Sequence, residues 1–570
     1  MESFRRRVPG YFGSQNEKIN TDESRGPQAL DCGVRRNDGN KLEETMTLTD
    51  ILDQRERENR HTLAYVYRGQ KITYEEIAND CRALAGALAG LGVKTGDRFA
   101  ICVRNSPEFV ITWFALAKLG AIAVHINFMT SDEETAYILK DSGAKGILTQ
   151  KEFSTKLRRA AQAAGTSWIV LTDETPGQKN EKSFSDLRES GRGLPCPQFS
   201  PSPDTTVAIL YTSGTTGKPK GAMLSHKNLA SNAQSAIAHI GLVPRKEVIL
   251  CILPMFHIFA WTAIVLVGFY LPCPVIIVES ITPPKPWLDL MKKWKVTLFP
   301  AVPPIFHVLG KEAKGLKRLV LKYLFFRTVK YAISGAAPLP LQVLKTFEAK
   351  LGVPILEGYG LTETSPAISM NTVNHRKPGS VGTVIPNVDV IVIGEDGRIL
   401  PVGEEGEICA KGPNVFQGYF NLPDATKETF TENGYLKTGD IGKLDEQGYL
   451  SICDRKKDMI IIKGLKVFPA QIEEIILRND NVQEAAVVGI PQEDGDELIK
   501  AYVTPKKGAT VNKLEIQELL HANLPPYKRP RDIEIRDELP KNALQKILKR
   551  ELRREAIEKS KNQRLAAAVK

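Results

Sequence analysis

The sequence predicts an α/β protein: a large N-terminal domain of two α/β layers carrying a small β-rich subdomain, then a small, mobile α+β domain. Three observations carry this reading. From Gly96, "GDRFAICVRNSPEFVITWFALAKLGAIAVHINFMTSDEETAYILKDSGAKGILTQ" alternates strand, helix, strand, helix, strand. Strands such as "FAICV" lack polar alternation, the mark of a parallel sheet covered on both faces. The rhythm returns in "EVILCILP", "CPVIIVES", "VTLFPAVPPIFHVLG" and "VKYAISGAAPL", and then gives way to short strands with tight turns.

The elements follow in order. Residues 1–45 lack apolar periodicity and read as a loose extension. The large domain is expected over 46–453. Within it Ser106 is placed to cap a helix with Pro107 at its first position, and Phe109, Trp113 and Leu116 line one face. From about 379 to 453, "DVIVIGEDGRIL", "GEEGEICAKG" and "GYLKTGDIGKLDEQGYLSI" place Asp396-Gly397, Asn433-Gly434 and Gln447-Gly448 at hairpin turns. The charged cluster at 454–457, between two apolar strands, reads as a domain boundary. The small domain, 458–552, is built from helix "PAQIEEIILR", strands "VQEAAVVGIP" and "LIKAYVTP" and helix "NKLEIQELLHANL"; a charged helix fraying into a basic tail follows at 553–570.

At 570 residues the chain exceeds a single core, and its 42% hydrophobic and 25% charged residues are ordinary for a globular protein. The formal charge of +11 invites a nucleic-acid reading. No finger, recognition helix or RNA-binding motif accompanies it, so no nucleic-acid partner is expected. Anionic small molecules or an anionic membrane surface suit the charge equally well. Eight cysteines without a CxxC pair read as reduced thiols in the cytoplasm, and the eight histidines show no HExxH spacing for a catalytic zinc. "RRR" leads from Met1 into polar sequence, so no secretory leader is expected there. The apolar stretch "WTAIVLVGFYLPCPVIIVES" is broken by Pro272 and Pro274 and reads as helix, turn and strand rather than a membrane span. Peripheral attachment at the inner face of a membrane and a homodimer both remain open.

The most informative stretch is "YTSGTTGKPKGAMLSH", Tyr211 to His226, a glycine- and hydroxyl-rich loop between the apolar run "VAIL" and a helix beginning "KNLASN". Glycines let N–H groups crowd a ligand, and hydroxyl and ammonium groups complement phosphate oxygens. A solvated turn is the plain alternative for any such loop. "GTTGKP" has the wrong spacing for a Walker A loop, and Pro219 follows Lys218. It does resemble the phosphate loop of the adenylate-forming enzymes, the family of acyl-CoA synthetases, luciferases and peptide-synthetase adenylation domains. Further blocks follow in the family's order, so the resemblance covers roughly 50–552.

The resemblance implies a nucleotide site at named positions. Thr212, Ser213, Gly214, Thr215, Thr216, Gly217, Lys218 and Lys220 would hold phosphates. In "SGAAPLP" the backbone of Gly335, Ala336 and Ala337 would lie against adenine, where small residues allow close approach. In "EGYGLTET", Glu357, Tyr359 and Gly360 belong to the same site: Tyr359 would stack on adenine, Thr362 would bond the α-phosphate and Glu363 would coordinate Mg²⁺. In "YLKTGDIG", Asp440 would take the ribose hydroxyls, with Arg455 of "DRKKD" as a second contact and Lys457 at the hinge. The family's terminal Pro-Lys-x-x-x-Gly-Lys places the adenylation lysine at Lys546, with Gln545 standing where the family has glycine. A glycine that merely eases a turn tolerates this exchange; one that needs positive φ does not.

The implied chemistry has two steps. A carboxylate displaces pyrophosphate from ATP, and the thiol of CoA then attacks the acyl-adenylate to give acyl-CoA and AMP. Lys463, Gly464 and Lys466 of "IIIKGLKVFP" would line the second-step tunnel. His257 in "PMFHIFAW" would sit between acyl pocket and tunnel, and Trp261 resembles the gating tryptophan of bacterial long-chain synthetases. The expected activity is ATP- and Mg²⁺-dependent ligation of a long-chain fatty acid to CoA. An aryl or medium-chain acid, loading of a carrier protein, and a nucleotide- or acyl-binding protein with impaired turnover are the alternatives.

Overall fold

The computed structural model describes residues 46–196, 199–212, 218–462, 465–492, 497–542 and 545–568, with side chains through 559. The calls on Ser213, Gly214, Thr215, Thr216, Gly217, Lys463 and Gly464, and on the extension 1–45, lie outside the described residues.

Two large sheets and a smaller one build the main domain. The first runs, in spatial order, Gly418–Tyr419, Lys220–Ser225, Thr206–Thr212, Ile122–His125, Arg98–Cys102, Gly146–Thr149, Trp168–Leu171 and Glu181–Ser183. Its centre is parallel, because helices Pro107–Leu119, Asp132–Ser142 and Lys151–Ala164 carry the chain back between successive strands. Gly120, Gly143 and Gly165 end those helices in the left-handed conformation that glycine adopts without strain. Ser106 does precede Pro107, yet its side chain makes no capping hydrogen bond; Pro107 lacks an N–H and is already helical in φ.

The second sheet centres on parallel strands Ile355–Gly360, Tyr331–Ser334, Leu298–Ala301, Ile249–Cys251, Val275–Ile277 and Leu63–Tyr67, with antiparallel edges. A core cluster joins the sheets through helices Tyr74–Gly90, Pro107–Leu119 and His226–Ile240. Trp113 and Trp261 meet there with ring centroids 4.6 Å apart. The stretch Trp261–Leu266 is a buried π-helical turn, continued by Val267–Tyr270 and the strand Val275–Ile277. No helix among the described residues is long and apolar enough to cross a membrane.

The β-rich subdomain is a four-stranded antiparallel sheet, Asp389–Ile393, Gly406–Lys411, Leu436–Leu444 and Leu450–Arg455. Gly397, Gly434 and Gly448 take φ of 78°, 75° and 79° in its turns, where a side chain would be strained. Its last strand continues through Arg455, and the chain turns immediately afterwards. The small domain follows. It consists of a hairpin (Ile460–Ile462, Leu465–Val467), a three-stranded sheet (Val482–Pro491, Glu497–Pro505, Asp532–Ile535), and helices Pro469–Ile476 and Lys513–Asn523. Helix Lys549–Ala568 continues without a break through most of the stretch read as a tail.

One element departs from the sequence reading at the loop of greatest interest. Between that loop and helix His226–Ile240 lies a further strand, Lys220–Ser225, antiparallel to Thr206–Thr212 with Thr212 opposite Lys220. The strands on either side of the glycine-rich segment are thus antiparallel neighbours. The second of these strands is short and begins with the polar "KG", so its pattern does not stand out.

Candidate active site

The described candidates, Trp261 and Lys466 excepted, gather along one interdomain cleft. Strand Ile355–Gly360 brings Glu357, Tyr359 and Gly360 to it, and a short 3₁₀ turn, Thr362–Thr364, adds Thr362 and Glu363. Gly360 is irreplaceable at close quarters, because an added Cβ would lie 1.7 Å from the Pro366 carbonyl oxygen. On the neighbouring strand's exit, Gly335, Ala336 and Ala337 also line the cleft. A Cβ on Gly335 would come 3.2 Å from the Phe259 ring, and Ala336 sits at φ 67°. The Phe259 ring thus favours a small residue at Gly335. Glu357 is buried and accepts from the Leu339 N–H at 3.0 Å; burial pushes its carboxyl up to about 7.

Tyr359 donates its hydroxyl to Asp440 Oδ2 at 2.7 Å, and Arg455 Nε stands 3.3 Å from Asp440 Oδ1. The pairing of Asp440 with Arg455 follows from register, since the two residues are cross-strand partners in the β-rich sheet. Burial and then the Asp440 carboxylate drive the Tyr359 phenol far above its ordinary range, so it remains a donor.

Across the cleft, Glu363 Oε1 accepts from the Tyr419 hydroxyl at 2.9 Å, with Thr212 Oγ1 at 3.5 Å. Lys220 Nζ lies 5.1 Å from the centre of the Tyr419 ring, and Lys218 Nζ lies 5.5 Å from that of Tyr137. Tyr419 is a site residue that sequence reasoning missed. Its position comes from the two-residue strand Gly418–Tyr419 pairing with Met223 and Ala222, a tertiary contact with no local signature.

Lys546 enters from the small domain. Its loop is a tight hairpin: Lys541 bridges Ile547, the Asn542 N–H donates to the Lys546 carbonyl at 2.9 Å, and the Lys546 N–H donates to Asn542 Oδ1 at 2.9 Å. Gln545 holds φ 60°, so this position does demand the left-handed conformation that glycine would adopt freely. Burial and then Arg455 lower Lys546 to about 8. His257 accepts from the Phe259 N–H through Nδ1 at 3.2 Å; burial and then Lys546 lower it to about 4, leaving the imidazole neutral at pH 7. A lysine of the small domain and a histidine of the large one therefore share one electrostatic neighbourhood. Lys457 lies in the turn after Arg455 and borders the same cleft.

Two expectations are corrected. Trp261 does not line the cleft: it is 0% exposed and packed among Phe109, Trp113, Phe114 and His125, while Ile258, Phe259, Thr262 and Ala263 border the space. The π-helical turn directs its ring into the core. Lys466 also lies away from the cleft, paired with Glu395 of the β-rich subdomain at 2.7 Å, a tertiary contact that draws its ammonium to that sheet.

A cleft between a two-layer α/β domain and a small α+β domain, with hydroxyls, lysines, a buried Tyr–Asp–Arg cluster and an inserted lysine, defines a nucleotide-using enzyme. The chain belongs to the AMP-binding enzyme family: the family model matches residues 52–420, and the model of the AMP-binding enzyme C-terminal domain matches residues 471–546. It is similar to the long-chain-fatty-acid–CoA ligase of Bacillus subtilis, 34% identical over 87% of this chain and 92% of that one. A 4-coumarate–CoA ligase of Humulus lupulus is 33% identical over 86% of this chain and 90% of its own. The crystal structure of ATP-bound MatB from Rhodopseudomonas palustris superposes with a TM-score of 0.80 at 31% identity, covering 90% of this chain and 99% of that one.

Proposed function

We propose that this protein is an AMP-forming acid–CoA ligase acting on long-chain fatty acids: it makes the acyl-adenylate from ATP and then the CoA thioester. The observation carrying this reading is Lys546, held by a small-domain hairpin inside the large domain's cleft beside Arg455 and Asp440. A carboxylate is a poor acyl electrophile, and attack on the α-phosphate exchanges its oxide for AMP. That chemistry asks the enzyme for alignment and neutralisation of phosphate charge, not for a protein nucleophile.

Each group then has a task. Thr212, Lys218 and Lys220 flank the triphosphate; Thr362 and Lys546 meet the α-phosphate, where negative charge gathers; Asp440 accepts from the ribose; and Tyr359 covers the base. Among the described residues no cluster of three or more His, Cys, Asp or Glu could cage a metal. A lone Glu363 flanked by hydroxyls instead fits Mg²⁺, which is held by one or two carboxylates together with substrate phosphates. Mg²⁺ would bind Glu363 and neutralise phosphate oxygens. For the second step the small domain turns about Lys457, withdrawing Lys546. Lys463 and Gly464 would then line the thiol's path.

The long-chain assignment rests on the B. subtilis relative and on the apolar wall formed by Ala236, Ile258, Phe259, Ala263, Ile333 and Met370. Such a wall gains about 0.8 kcal/mol per buried CH₂. The 4-coumarate–CoA ligase of similar identity supports an aryl acid as the second reading. A panel of fatty and aryl acids with ATP, Mg²⁺ and CoA, scored for AMP release, tests both. Rates rising with chain length support the proposal; a preference for 4-coumarate overturns the long-chain assignment.

A further inference from the structure

The helix Gly315–Val320 buries none of its side chains. Leu316 is 77% exposed and Leu319 50%; Val320 and, in the turn Leu321–Phe325, Tyr323 and Leu324 are exposed as well. Single exposed leucines are ordinary, but five large apolar side chains within nine residues form a patch that needs a partner. Cations accompany it: Lys314, Lys317, Arg318, Lys322 and Arg327, against the single carboxylate of Glu312 between residues 312 and 327. Lys317 pairs with Glu312, and Arg318 donates to the Lys350 carbonyl at 3.2 Å, which anchors the helix to the end of Leu341–Leu351.

We propose that this patch docks on an anionic lipid bilayer, its apolar side chains entering the interface and its lysines meeting the headgroups. Charge complementarity selects this occupant. A second copy packed through the same patch would set one cationic strip against another, whereas an anionic bilayer offers apolar depth and negative charge together. The patch adjoins the cleft, whose lining includes Val308, Lys311 and Lys314. The inference concerns the surface alone and stands whichever acid is the substrate.

Sedimentation of the full chain with phosphatidylcholine vesicles, with and without phosphatidylglycerol, tests this. Binding is expected to the phosphatidylglycerol-containing vesicles and to weaken with added salt. The variant Leu316→Ser/Leu319→Ser/Tyr323→Ser, altered only at exposed positions, should keep the parent's melting temperature and bind about tenfold more weakly. Lys317→Gln/Lys322→Gln should lose about tenfold on the same vesicles. Undiminished binding by both variants overturns the proposal. So does loss of binding through Arg5→Glu/Arg6→Glu/Arg7→Glu alone, which would assign it to residues 1–45. Parent protein that ignores vesicles but becomes monomeric from a dimer in the serine variant would assign the patch to a second copy.

Discussion

Tyr359 and Asp440 are joined by a 2.7 Å hydrogen bond that links the second large sheet to the β-rich subdomain. Asp440 is 3% exposed, so its carboxylate depends on this hydroxyl and on Arg455 for compensation. Tyr359→Phe keeps the ring and removes the donor. Loss of a hydrogen bond to a charged group costs about 1.5–3 kcal/mol, so the KM for ATP should rise about tenfold or more, with the acid's KM little changed. Initial-rate kinetics with each substrate varied in turn checks it.

Tyr419 orients Glu363 by donating its hydroxyl to Oε1 at 2.9 Å. Tyr419→Phe should raise the Mg²⁺ concentration giving half-maximal activity by about tenfold, as for residues that support a metal's ligand. Saturating Mg²⁺ should restore most of the rate. A loss of rate that Mg²⁺ does not repair would place Tyr419 in another role.

Glu357 supplies a prediction on stability. Burial pushes its carboxyl from the ordinary 4.5 up to about 7, so between those limits the folded chain binds more protons than the unfolded one. The contribution is fully present below pH 4.5 and is lost as pH rises through 7. Glu357→Gln keeps an oxygen for the Leu339 N–H and cannot ionise. It should therefore gain about 1–3 kcal/mol over the parent at pH 8 and almost nothing at pH 4. Denaturant titrations at the two pH values decide it.

Gln545 stores local strain, since a left-handed non-glycine residue costs about 1–2 kcal/mol. Gln545→Gly should slow hydrogen exchange at the loop's Asn542, Gln545 and Leu548 amides, which close the hairpin. Gln545→Val should accelerate it, a β-branched residue being worse still at positive φ.

Much of this was legible in the sequence because the chemistry is local. The blocks around Thr212, Tyr359, Asp440 and Lys546 each carry their functional groups within a few residues, and a single turn or strand end presents them. The apolar strands and the glycine turns of the β-rich sheet were readable for the same reason. What stayed hidden depends on distant contacts. Tyr419 reaches Glu363 only because strand Gly418–Tyr419 pairs with Met223 and Ala222, nearly two hundred residues earlier. Trp261 four positions after His257 suggested a shared lining, but the wider π-helical turn sends its ring to Trp113. Lys466 reads as a phosphate contact until the packing of its hairpin shows Glu395 beside it. The Leu316 patch has an ordinary helical pattern in one dimension, and only the fold reveals that its side chains stay exposed among the described residues.

The central claim is that Lys546 serves adenylation from its hairpin in the cleft. Fatty-acid-dependent exchange of pyrophosphate into ATP, measured on Lys546→Ala alongside thioester formation from supplied acyl-adenylate, tests it most directly. The same exchange in the parent should decline as pH rises through about 8, as Lys546 loses its charge, and Lys546→Arg should remove that limb. The account predicts that Lys546→Ala loses the exchange and retains most of the thioester step. Equal loss of both, or exchange that survives, would contradict it.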